Sequence, residues 1–256
     1  MTDVPTSALL DLTGRSVIVT GGGSGMGRAS AHRLTEAGAR VLVVDIDGAA
    51  AKAVCDELPV GSAVAHAADA GTEAGAASYV AAALDAFGAI DAFHSNAGIL
   101  GRPSPLLDAT IDDWQRIMAV NLLGTFLGVR AVGRVMRDAG HGAIVVTASI
   151  AGLRSSPGVG IYAASKAGVV SLVRTAAKEL GPAGVRVNAI CPGPTVTNFS
   201  PGLAENVGQV EVMSERVPLG RLAQPDDMAR TVLWLLSDGA AYLNGAVLPV
   251  DGGHEA

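Results

Sequence analysis

Ser16-Val17-Ile18-Val19-Thr20-Gly21-Gly22-Gly23-Ser24-Gly25-Met26-Gly27 decides the fold of this 256-residue chain. The first five residues form a β-branched apolar run, which reads as a buried strand. The glycines that follow permit φ > 0 and let the backbone come close to a pyrophosphate. From Gly25 onward apolar residues recur at spacings of three and four. A helix therefore opens at the end of the turn and offers unpaired N–H groups and a positive dipole end to an anion. A tight strand-to-helix turn needs glycine for its own sake, so the cluster gains meaning from its context. That context includes Asp45, which closes the next apolar run, Val43-Val44-Asp45. A carboxylate there can accept hydrogen bonds from a ribose diol and repels a 2′-phosphate. Gly21, Ser24, Gly25, Met26 and Gly27 are the candidate phosphate contacts, with Asp45 and Ile46 beside the adenosine ribose. Ser24 and Ile46 bring no cation, and Arg28 is read as pointing along the first helix. NAD is thus expected over NADP.

Outward from the turn the alternation continues. Short apolar runs at 16–20, 40–44, 62–67, 90–94, 143–147, 185–190 and 246–250 read as strands. Helical spacing appears at 25–37, 49–57, 72–87, 111–137 and 161–180. The strands are continuous rather than alternating, which predicts a sheet covered on both faces. Strand–helix alternation predicts parallel βαβ units with right-handed crossovers. With no linker, low-complexity tract or repeat, residues 1–256 are expected to form one domain. Residues 195–225 break the rhythm with Pro201, Pro218, Pro225 and several glycines. They are predicted to be a substrate loop with one short helix near 203–216.

In Ile161-Tyr162-Ala163-Ala164-Ser165-Lys166, one of only three tyrosines stands four positions before one of only three lysines. On a helix such a pair projects from one face. An ammonium beside a phenol favours the phenolate, which would suit the tyrosine to proton transfer near neutral pH. Taken alone, Tyr-x-x-x-Lys is an ordinary helix surface. The rest of the chain lifts it above that.

These motifs together resemble the short-chain dehydrogenase/reductases, from Leu12 to Gly253. The family's Thr-Gly-x-x-x-Gly-x-Gly is met by Thr20 to Gly27, and its Asn-Asn-Ala-Gly by Ser95-Asn96-Ala97-Gly98, with serine for the first asparagine. Asn121, Ser149 and the Tyr162/Lys166 pair follow in order, then Asn188, Cys191-Pro192-Gly193 and Val250-Asp251-Gly252-Gly253. The resemblance implies an α/β, Rossmann-like doubly wound sheet of seven mainly parallel strands with helices on both faces. It also implies an NAD(P)-dependent oxidoreductase with Asn121, Ser149, Tyr162 and Lys166 as the catalytic set. Tyr162 would move the hydroxyl proton and Ser149 would hold the substrate oxygen. Lys166 would lower the pKa of Tyr162 and hold the nicotinamide ribose, so both residues also count as cofactor contacts. Asn121 would hold a relay water. Asp69 and Ala70 would face the adenine, although Asp69 also reads as a helix N-cap. Asn96 and Gly98 would lie near the ribose and the glycine turn, and Pro192, Gly193, Thr195 and Thr197 would run past the nicotinamide. A homotetramer, paired through the helices that carry Asn121 and Tyr162, is the implied assembly.

Composition narrows the alternatives. A net charge of −6 without a basic block recommends no nucleic-acid partner. Cys55 and Cys191 lack metal-ligand spacing, as do the five histidines, so no metal is expected. Two free thiols, no signal-peptide pattern and no membrane-spanning run suggest a cytoplasmic protein. Trp114 and Trp234 read as helix packing anchors. Leu153, Phe199, Leu203, Val207, Val210 and Met213 suggest a largely apolar pocket for a cyclic or aromatic secondary alcohol or ketone. A 3-oxoacyl-thioester reductase using NADPH is the alternative enzyme, and a catalytically silent cofactor-binding scaffold the alternative from another class. A sugar-nucleotide epimerase would need a longer chain.

Overall fold

In a computed structural model the described residues are 9–197, 199 and 207–255. Seven parallel strands lie in the order β3-β2-β1-β4-β5-β6-β7. They are β1 (Ser16–Thr20), β2 (Arg40–Asp45), β3 (Ala63–Ala67), β4 (Ala92–Ser95), β5 (Gly142–Thr147), β6 (Val185–Pro192) and β7 (Val247–Val250). Successive residues of a strand point to opposite faces, and the apolar runs use both. Ile18, Leu42, Phe93, Ile144 and Val146 pack under α3 (Glu73–Phe87), α5 (Gly124–Ala139) and α6 (Gly160–Leu180). Val17, Val19, Val41, Val43 and Val145 pack under α1 (Gly25–Glu36), α2 (Gly48–Glu57) and α8 (Pro225–Leu236). The strand order reverses between β1 and β4, so their carboxyl ends form the crevice in which ligands of such sheets bind.

Local chemistry sets the helix ends. Asp47 caps α2, its Oδ1 accepting from the N–H groups of Ala49 and Ala50. Thr72 caps α3 through Gly75 N–H, so Asp69 is not the cap. The Asp69 carboxylate instead closes the preceding turn by accepting from Gly71 N–H at 2.8 Å.

Three expectations need correction. The helix expected over 111–137 is divided into α4 (Ile111–Met118), a π turn at Ala119–Leu123, and α5. The stretch Ile111–Ala139 is long and apolar enough to cross a membrane by composition, but its apolar side lies on the sheet. Second, Pro225 is expected to close the irregular segment, with no helix given bounds after it, whereas α8 begins there. Pro225 in fact occupies its first turn, with a capping box between Gln224 and Asp227. Third, neither tryptophan is a buried anchor: Trp114 and Trp234 are 44% and 38% exposed. Within the expected substrate loop, α7 runs Val207–Ser214. Leu203 and the side chain of Val207 lie outside the described residues.

Candidate active site

The glycine turn leaves β1 and enters α1 with Gly21 at φ 62° and Gly25 at φ 50°. A Cβ on Gly27 would collide with the Gly21 carbonyl, so this helix can approach the strand only with glycine there. Ser24 is the residue before α1, yet its side chain caps no N–H, and the first turn keeps its donors free for an anion. Thr197 leans over the turn, its methyl 3.5 Å from where a Gly25 Cβ would stand. Asp45 ends β2 and accepts from Gly23 N–H at 2.9 Å and from Asp47 N–H at 3.1 Å. Arg28 is drawn away by Glu57, 2.7 Å from its guanidinium, and His32 contacts the same carboxylate. Ile46 is 74% exposed beside Asp45. The free helix donors, the glycine cradle and the carboxylate at the strand end fit an adenine dinucleotide.

Four candidate catalytic residues converge beside this cradle. Ser149 follows β5. Its Oγ accepts from Ala151 N–H at 3.1 Å, which leaves its own proton available. Tyr162 and Lys166 sit one turn apart on α6, both buried, with the ammonium 5.8 Å from the phenol ring centroid. Lys166 Nζ donates to the Thr147 carbonyl at 2.8 Å. Asn121 lies in the π turn, fully buried, a placement in keeping with the frequent use of π turns at functional sites. Its Nδ2 donates to Ile99 O at 2.9 Å and Ser165 Oγ at 3.1 Å, and its Oδ1 accepts from Ile99 N–H at 2.8 Å. Its side chain thus pins the loop after β4 to α6. A Cβ on Gly98 would lie 3.3 Å from Asn121 Oδ1 and 3.4 Å from Lys166 Nζ, so glycine there leaves space beside both groups.

The electrostatics differ from the expectation for Lys166. Burial dominates: it pushes the Tyr162 phenol up to about 12, against a hydrogen bond with Ser149 that pulls it down. The same burial pushes Lys166 down to about 8. The Lys166 ammonium donates to the Thr147 carbonyl, and burial rather than this cation sets the direction of the Tyr162 shift. Cys191, buried in β6, is held up to about 11 by desolvation.

The remaining candidates surround these groups. Asn96 Nδ2 donates to the carbonyls of Thr20 and Gly21, while the N–H groups of Asn96 and Ala97 meet Thr20 Oγ1. Asn96 is therefore a clamp on the glycine turn. Ala70 and Asp69 follow β3, and a Cβ on Gly124 would touch the Ala70 carbonyl. Pro192 ends β6, Gly193 N–H bonds Val250 O, and Thr195 Oγ1 donates to Gly193 O. Phe199 stacks on Tyr162 at 5.9 Å and 59°. Val210 and Met213, partly buried, pack on Val217 and Leu222. A small cleft beside Tyr162 is walled by Leu100, Arg102, Ser104, Leu106, Ile117 and Ile161, polar as well as apolar. The larger hollow, at Thr13, Arg33 and Gly38, lies at the opposite end of the strands. Among the described residues no cluster of His, Cys, Asp and Glu could hold a metal. Two groups escaped the sequence reading, the Thr20 hydroxyl and His94. The latter's signal was a lone polar residue in an apolar run.

Residues 21–255 match the family model described as Enoyl-(Acyl carrier protein) reductase. The chain belongs to the short-chain dehydrogenase/reductase family. Levodione reductase of Leifsonia aquatica is 40% identical over 100% of this chain and 98% of its own length. A 2,5-dichloro-2,5-cyclohexadiene-1,4-diol dehydrogenase of Sphingobium indicum is 38% identical, covering 96% and 99%. The crystal structure of a 3-ketoacyl-(acyl-carrier-protein) reductase from Brucella melitensis complexed with NADH superposes with a TM-score of 0.89 at 35% identity, covering 96% and 100%.

Proposed function

We propose that this oxidoreductase interconverts a cyclic, largely apolar secondary alcohol and its ketone with NAD. The observation that carries the reading is the convergence of Ser149, Tyr162 and Lys166 next to the glycine cradle. A nicotinamide coenzyme held by these residues would supply the hydride acceptor or donor for the substrate carbon, and its oxidised form would favour a phenolate. In the oxidation direction Tyr162 Oη takes the hydroxyl proton while Ser149 Oγ donates to the substrate oxygen. The phenolate that must take this proton is buried in an apolar setting and needs a cation nearby, and Lys166 Nζ lies 5.8 Å from the ring centroid. Asn121 holds the π turn and the loop after β4 in register with Lys166, and the proposed relay starts there.

The preference for NAD rests on Asp45 at the strand end and on Arg28 being engaged by Glu57. Gly21, Ser24, Gly25, Met26 and Gly27 would hold the pyrophosphate, Asp45 and Ile46 the ribose, and Asp69 and Ala70 the adenine. Asn96, Gly98, Pro192, Gly193, Thr195 and Thr197 would border the remaining cofactor. Residues 1–256 act as one catalytic unit with 195–225 as its substrate loop. A cyclic substrate agrees with the cyclohexadiene-diol named for one relative. The exposed apolar side chains Ile111, Leu123 and Phe126 on α4, the π turn and α5 suit pairing into a homotetramer. A cytoplasmic location goes with this reading.

A 3-oxoacyl-thioester reductase remains the second reading, because a relative of that name is described with NADH and so an NAD-type site does not exclude it. Turnover with a panel of cyclic, steroidal, acyl-thioester and polyol substrates, run with NAD(H) and with NADP(H), separates the two. Preference for NADPH and acyl thioesters would overturn the first.

A further inference from the structure

His94 is fully buried in the middle of the sheet, opposite Val19 of β1 and Val145 of β5. A valine there would cost nothing to desolvate, whereas this imidazole leaves Nδ1 without a partner among the described residues. Its other nitrogen, Nε2, lies 2.9 Å from Thr147 Oγ1.

The direction of every bond in this chain is fixed from its far end. Asn96 Nδ2 faces two carbonyl oxygens, Thr20 O at 3.1 Å and Gly21 O at 3.2 Å, which only accept. Asn96 Oδ1 must then accept, and it does so from Thr147 Oγ1 at 3.2 Å. The Thr147 hydroxyl has one proton and has spent it, so toward His94 it accepts. His94 therefore carries its proton on Nε2 and donates. Thr147 is the junction, because its carbonyl receives Lys166 Nζ at 2.8 Å.

We propose that His94 is a positioning residue: by donating from Nε2 to Thr147 it orients both the clamp on the glycine turn and the carbonyl that holds Lys166. Its consequence is read in cofactor affinity, and it rests on the functional reading only in that NADH is the ligand measured.

NADH affinity is measured by fluorescence titration for the wild type, His94→Val, His94→Gln, Thr147→Val and the Val/Val double variant, each at a temperature where it is fully folded. Loss of one neutral hydrogen bond predicts about fivefold weaker NADH binding by His94→Val, with saturated kcat changed less than about threefold. His94→Gln, whose amide reaches as far as Nε2 and donates, restores binding to within about twofold. Thr147→Val matches His94→Val, and the double variant is no worse. Binding unchanged in His94→Val, or no rescue by glutamine, overturns the proposal. Where His94→Val does not fold, wild-type affinity in Thr147→Val overturns it equally. Histidine nitrogen NMR of the cofactor-free protein gives a readout that needs no ligand: an Nδ1–H tautomer at His94 contradicts the bond direction. Failure of the wild type to bind NADH would sink the functional reading and leave the NMR result standing.

Discussion

At the scale of single residues, Lys166 and Tyr162 carry opposite costs of burial. Lys166 has a folded pKa of about 8 against an ordinary value near 10.5. Below pH about 8 both folded and unfolded states hold the proton and the penalty is fully present. As pH rises toward the ordinary value the folded state has released its proton and the unfolded state has not, so stability rises. Tyr162, raised from 10 to about 12, works the other way and loses stability as pH rises through that range. Lys166→Met should thus be more stable than wild type at pH 7, by about 1–3 kcal/mol, and lose the stability gain above pH about 8. Denaturant midpoints across pH test this, and a less stable methionine variant would contradict it. Alcohol oxidation requires the phenolate, so its log kcat should climb about one unit per pH unit below the apparent pKa of Tyr162 in the loaded enzyme, while ketone reduction should not. A flat oxidation profile would contradict the role of Tyr162. Residue identities at the site were legible because the motifs are contiguous in sequence. The pKa directions were not, since they follow from strands and helices that close over α6 from distant parts of the chain.

At the scale of elements, the glycine turn is the most constrained piece. Gly27→Ala drives a methyl into the Gly21 carbonyl, so NADH affinity should fall more than about tenfold with a lowered melting temperature. Unchanged affinity would mean that the turn does not seat the cofactor. Asp47→Ala removes the cap of α2 and should cost about 1 kcal/mol while leaving turnover intact. All seven strands and the long helices were visible as apolar periodicity. The π turn at Ala119–Leu123 was not, because that periodicity runs through it unbroken. The helix α8 was missed because Pro225, a helix-opening residue with Asp226 and Asp227 behind it, ended a run of prolines and glycines.

At the scale of the whole molecule, alternation of strand and helix predicts a parallel sheet but leaves its order open, and the order β3-β2-β1-β4-β5-β6-β7 comes from the structure. That order puts the glycine turn, Ser149 and the end of β6 at the carboxyl ends of neighbouring strands, where α6 adds Tyr162 and Lys166. Light scattering should give four times the chain mass, with Phe126→Asp shifting it toward smaller species; a wild-type monomer would contradict the assembly. The central claim is that one phenol, positioned beside the cofactor, moves the substrate proton. The most direct measurement pairs turnover of a cyclic secondary alcohol with NADH titration for wild type and Tyr162→Phe. The account predicts at least about a hundredfold loss of kcat with NADH affinity within about threefold of wild type. A phenylalanine variant that still turns over at a tenth of the wild-type rate or faster would contradict it.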